Sequence, residues 1–135
     1  MTNATPVIIY ENVGKSFEHG RVKAVDDVSL KVEAGEFLAI VGGSGSGKTT
    51  LLRLANRLIA LDSGTVRVHG DDILGLDPIA LRRSIGYVFQ SGGLFPHMTV
   101  ADNIGITPRL LGIPAQEISA RVDELIDLVR LDRSH

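Results

Sequence analysis

Short apolar runs at residues 7–13, 28–32 and 37–41, separated by glycine-containing or charged turns, predict three strands at the start of the chain. A glycine-rich stretch follows the third run directly. Leu51, Leu54, Ala55 and Leu58 then recur at i, i+3, i+4 and i+7, which predicts one apolar face of a helix. Asp62, Ser63 and Gly64 signal a turn, and residues 65–68 alternate polar and apolar before a second turn at Gly70, Asp71 and Asp72, so another short strand fits there. Asp77 followed by Pro78 reads as a cap and first helical residue opening a short helix towards Arg83, and residues 85–89 form a compact apolar strand candidate. From Thr99 the character turns helical. Thr99 and Asp102 have capping-box spacing with Asp in place of Glu, and Gly112 and Pro114 separate that segment from a helix with Ile118, Val122, Leu125, Ile126 and Val129 on one face. Alternating strands and helices predict the α/β class. No internal repeat or flexible linker interrupts the pattern, and residues 131–135 follow a helix without a closing strand, an ending that reads as an interruption.

Composition narrows the function classes. At 135 residues, 44% hydrophobic and 22% charged, the chain has the length and balance of one ordinary globular domain. Its formal charge of −2 is spread along the sequence, so no single-sign field would draw it onto nucleic acid or an anionic membrane, and any phosphate must be gripped locally. The absence of cysteine excludes disulfides and thiolate chemistry. His19, His69, His97 and His135 share no metal-ligand spacing and read as surface residues, while the Asp26–Asp27 and Asp71–Asp72 pairs fall at strand or turn boundaries where solvated carboxylates are routine. No stretch reaches the roughly 18 apolar residues of a spanning helix, so work at a membrane would require recruitment.

Chemistry concentrates in residues 42–49. Gly42, Gly43, Ser44, Gly45, Ser46, Gly47, Lys48 and Thr49 match GxxxxGK[ST] between a predicted strand and a predicted helix, the context that the motif requires. Glycines open backbone conformations closed to other residues, so successive N–H groups can curl around phosphate oxygens at the positive end of the helix dipole. Lys48 brings a mobile ammonium for the β- and γ-phosphates, and the Thr49 hydroxyl can occupy one coordination place on Mg²⁺.

Beyond this loop, the segments GKSF, VDDVSLKVEAGEFLAIVGGSGSGKTTLLRLANRL, DSGTVRVHG, IGYVFQ and LFPHMTVADNI resemble the ATP-binding subunits of ABC transporters across nearly the whole chain. The stretch from IGYVFQ to LLGIP looks especially like the glycine betaine, choline and proline importers, the osmoprotectant branch. The resemblance implies a P-loop NTPase fold of the ABC ATPase type. That fold would be incomplete here: antiparallel β elements, the P-loop strand and helix, and the start of a helical subdomain. It implies residues 1–98 as the N-terminal part of the ATPase core and 99–135 as the start of that subdomain.

It also implies ATP and Mg²⁺ as ligands, with Phe17 stacking on adenine rather than serving as a core phenylalanine. Residues 42–49 and Thr50 would line the nucleotide, Lys48 would act in catalysis, and Gln90 would join Thr49 at the metal and help place the attacking water. The implied partners are a transmembrane permease and a second ATPase subunit, on the cytoplasmic face of the membrane. Residues 91–103 correspond to the surface that receives the permease, with Leu94, Phe95 and Met98 either left apolar for docking or buried in this chain. Gly43 departs from the proline or bulkier residue of many relatives.

The LSGGQ signature, the Walker B aspartate with its glutamate base and the switch histidine have no match in the sequence. Binding without turnover and without ATP-driven dimerisation is therefore expected of these residues alone, along with exposed apolar edges where a strand of the sheet is missing. Two other classes carry less. Asp72 to Gly75 spell DxxG, but no guanine-reading motif follows, and a small-molecule kinase would need an acceptor pocket and lid that the sequence does not suggest. A non-catalytic nucleotide-binding module is the remaining alternative.

Overall fold

The structure, a computed structural model, describes residues 6–131. They fall into two compact units that divide between Gly86 and Tyr87.

The first unit is built on a four-stranded antiparallel sheet of order β2-β1-β3-β4, with β1 at Pro6–Phe17, β2 at Val22–Glu33, β3 at Ser63–Val68 and β4 at Asp71–Asp72. β1 and β2 form a long hairpin in which Tyr10 faces Leu30 and Phe17 faces Val22, and β1 also pairs with β3 from Ile8↔Val68 to Gly14↔Ser63. Alternation puts Val66 and Val68 of β3 on the covered face with Tyr10, and a register shift between Tyr10 and Val13, where Asn12 takes a positive φ, brings Val13 to the same core, which Val25 of β2 joins. Helix α1, Lys48–Ala55, lays Leu51, Leu54 and Ala55 against them. The Tyr10 hydroxyl donates to the Leu51 carbonyl at 3.1 Å, tying the middle of β1 to the first turns of α1. Its burial pushes the phenol's pKa up to about 12.

A short 3₁₀ turn at Ile73–Gly75 and α2, Pro78–Ser84, close the unit with Ile73 and Leu81. Arg82 donates to the carbonyls of Asn56 and Arg57 just past α1, and Arg57 donates to those of Ile73 and Leu76, so the carbonyls at the helix end are satisfied by cations that also suit its dipole.

In the second unit α3, Val100–Leu110, packs on α4, Ala115–Leu128, through Ile118, Val122 and the buried Gly105. Thr99 caps α3 as its spacing predicts: its Oγ1 accepts the Asp102 N–H at 3.1 Å and its hydroxyl donates to Asp102 Oδ2 at 2.7 Å. Val129, expected on the packed face of α4, is 64% exposed. Residues 132–135, including His135, lie outside the described residues.

Two predicted strands do not form. Residues 37–41 and 85–89 make no ladder, and Phe37, Val41 and Val88 stand 94%, 87% and 94% exposed. An all-apolar run such as 37–41 suits a strand covered on both faces and paired on its edges. Among the described residues no strand pairs with either segment, so Ile40 and Ile85 pack against the core while the side chains of Phe37, Val41 and Val88 are left uncovered.

Candidate nucleotide site

The loop between residues 41 and 48 folds back on itself because two of its glycines take positive φ, 79° at Gly45 and 89° at Gly47, and Gly47 immediately precedes α1. Gly47 is held against β2: a β-carbon there would overlap the Ala24 carbonyl oxygen. No side chain caps α1, so the N–H groups of its first turn stay available to an anion. Lys48 turns into the loop, and its ammonium donates to the carbonyls of Gly42 and Gly43 at 2.8 and 2.6 Å and to Ser46 Oγ at 3.2 Å. A cation is thereby placed inside the ring of backbone where phosphate oxygens would arrive.

Phe17 stands at the far end of β1, 40% exposed, so it is not a core residue. It shares with Lys48, Thr49, Thr50, Gly45 and Ala24 an open cleft of about 280 Å³. One end of this cleft is an aromatic ring and the other a glycine loop, an ammonium and two hydroxyls, a chemistry that fits a base joined to phosphates. Among the described residues no three His, Cys, Asp or Glu side chains gather to hold a metal. Mg²⁺ would fit such a site on other grounds: it keeps several waters, takes phosphate oxygens from its ligand and needs few protein donors, and the Thr49 hydroxyl is an oxygen of the kind it takes.

Gly42, Gly43, Ser44 and Ser46 lie exposed along the same loop. Gln90 is exposed in the second unit, and Leu94 and Phe95 are 75% and 43% exposed, so they are not buried in this chain. With Met98, Val100, Ile104 and Ile126 they line an apolar groove of about 540 Å³.

Sequence reasoning passed over Lys15 and Asp62, which lie beside Phe17. Lys15 Nζ contacts Asp62 Oδ1 at 2.6 Å and sits 5.5 Å from the Phe17 ring centroid. The hydrogen bond from Lys15, and after it that from the Ser16 N–H, holds the Asp62 carboxyl below the usual carboxylate range. The two residues are 47 positions apart, so only the lysine two places before Phe17 was a visible hint.

A family model described as ABC transporter matches residues 25–135. The chain belongs to the ABC transporter family. Its relatives include the choline transport ATP-binding protein OpuBA of Bacillus subtilis, 46% identical over 91% of this chain and 32% of that protein. The osmoprotectant import ATP-binding protein OsmV of Salmonella typhimurium is 45% identical over 93% of this chain and 34% of the relative. The chain thus spans about a third of the length of these ABC relatives. Among solved structures, the ATP-binding cassette MJ0796, a dimer bound to ADP and Pi in a post-hydrolysis state, superposes with a TM-score of 0.80 at 28% identity, covering 94% of this chain and 59% of that one. The expected P-loop NTPase fold of the ABC type is therefore present, in part, and no helix among the described residues is long and apolar enough to cross a membrane.

Proposed function

We propose that this chain is the Mg·ATP-binding part of the ATP-binding subunit of an ABC importer, one that couples nucleotide binding and hydrolysis to uptake of a quaternary ammonium osmoprotectant. The observation that carries the reading is the cleft joining Phe17 to Lys48, Thr49 and Thr50. In it Phe17 stacks on adenine, the backbone of residues 42–47 and Lys48 grip the phosphates, and Thr49 joins Mg²⁺. The choline, carnitine and glycine betaine transport relatives support the cargo class. A polyamine is the second cargo reading, supported by the spermidine/putrescine import protein PotA of Mesorhizobium japonicum at 46% identity over 132 residues.

The exposed apolar groove around Leu94, Phe95 and Met98 supports a permease as partner, and with it a place on the cytoplasmic face of the membrane. Residues 1–98 serve as the N-terminal part of the ATPase core and 99–135 as the start of the helical subdomain. On this reading these 135 residues by themselves bind nucleotide without turning it over, because hydrolysis needs a carboxylate to polarise water, and a second ATPase subunit is a partner of the transporter.

Calorimetric titration with Mg·ATP, with Lys48→Ala as control and phosphate release followed in the same samples, tests the site. Saturable binding lost in the variant, without phosphate release, supports it, whereas equal binding by both chains or none by either sinks it. Uptake by the complete transporter, challenged with glycine betaine or spermidine, separates the two cargoes.

A further inference from the structure

The far end of the β1–β2 hairpin has a support that its own ladder does not supply. β1 is paired on both sides only as far as Gly14, which faces Ser63 at the start of β3. Beyond it Lys15, Ser16 and Phe17 pair with β2 alone, at Val25, Lys23 and Val22, with a register shift on either side of Lys15. An irregular two-stranded tip is a poor mount for an exposed aromatic ring.

Asp62, the residue before β3, takes the place of the absent third strand. Its N–H donates to the Gly14 carbonyl at 2.9 Å, its Oδ2 accepts the Ser16 N–H at 2.7 Å and its Oδ1 accepts Lys15 Nζ at 2.6 Å. Three successive residues of β1 are thereby fastened by one aspartate. The Lys15 side chain is only 14% exposed, and its ammonium lies over the Phe17 ring, close enough for a cation–π contact.

We infer that Asp62 and Lys15 are positioning residues for the base-binding end of the cleft, holding Phe17 where it meets a nucleotide base. The inference rests on the nucleotide reading above, and it makes a demand that general support of the fold does not: losing the pair should weaken recognition of the base and leave the phosphate cradle alone. The cradle is built from residues 42–50, whereas the hydrogen bonds of Asp62 described above all go to residues 14–16.

The test compares Mg·ATP with inorganic triphosphate, using the full chain and its Asp62→Ala, Lys15→Met and Phe17→Ala variants. The expected result is a Kd for Mg·ATP raised by about fivefold in each, with triphosphate affinity unchanged within about twofold, and no further loss when Asp62→Ala is added to Phe17→Ala. Equal weakening of both ligands would make the pair a structural support only and overturn the inference, as would undiminished ATP binding by Asp62→Ala. If the wild-type chain binds neither ligand, the nucleotide reading falls and this one with it.

A second readout does not depend on any ligand. The sequence contains no tryptophan, so Phe17→Trp gives a single reporter. Its fluorescence anisotropy should drop when Asp62→Asn is added in a chain whose melting stays cooperative, and an unchanged anisotropy overturns the proposal.

Discussion

The Ala24 carbonyl oxygen and the α-carbon of Gly47 approach so closely that no side chain fits between β2 and the phosphate-binding loop. Gly47 also has φ at 89°, where an L residue is strained. Both penalties fall on Gly47→Ala, and the obstructing atom is backbone in a paired strand, so relief requires the loop to leave β2. Gly43 has neither problem, with open space around its α-carbon. Gly47→Ala should therefore destabilise the chain by about 2–4 kcal/mol and raise the Kd for Mg·ATP more than about tenfold, while Gly43→Ala stays within about 0.5 kcal/mol and binds normally. Denaturant melts and calorimetry of the two variants check this.

Tyr10 sets an alkaline limit on stability. Its folded pKa of about 12 stands above the unfolded value of 10.0, so below pH 10 both states keep the proton and the phenol's contribution is whole. Between about pH 10 and 12 the unfolded chain releases a proton that the folded one retains, and unfolding gains up to about 2–3 kcal/mol. Melts from pH 8 to 11.5 should show wild type losing stability faster than Tyr10→Phe. The variant, lacking the hydrogen bond to Leu51, should be weaker by about 1 kcal/mol at pH 8.

The sequence-readable parts of the fold are those decided locally. Asp77, whose carboxylate accepts the Ala80 N–H at 2.8 Å, and Thr99 announce their helices because a cap acts within four residues. The loop of residues 42–49 is equally legible, since its glycines and Lys48 are consecutive. A strand is different. Residues 37–41 and 85–89 carry strand composition, but pairing depends on what lies beside them, which no local pattern encodes. The Asp62 clamp was hidden for the same reason, because locally Asp62 is one more turn residue before Ser63 and Gly64.

The unpaired runs 37–41 and 85–89 have a consequence in solution. Phe37 and Val88 are each 94% exposed and lie outside any ladder, a combination that invites pairing with another chain. Phe37→Ser and Val88→Ser should change unfolding free energy by less than about 0.5 kcal/mol because neither residue packs in a core. Light scattering against concentration should nevertheless show less self-association in the double variant, and equal association in both proteins would refute the assignment.

Asn103 holds the loop that carries Phe95 and Met98. From the first turn of α3 its carboxamide accepts the Phe95 N–H at 2.7 Å and donates to the carbonyls of Phe95, Met98 and Thr99 at 3.1, 3.3 and 3.0 Å. Its two N–H hydrogens are shared among three carbonyls, which no other side chain of similar size can do while also accepting a hydrogen bond. Asn103→Ala leaves those groups to water and should cost about 1–3 kcal/mol locally. Asn103→Asp keeps the acceptor but turns a second oxygen towards the same carbonyls, so it should be no better than alanine. Hydrogen exchange would show amides 95–99 losing protection in both variants while those of α4 keep theirs. If the apolar groove is the permease seat, the same variants in the assembled transporter should lower transport without changing the Kd for Mg·ATP, because the residues that grip nucleotide are untouched.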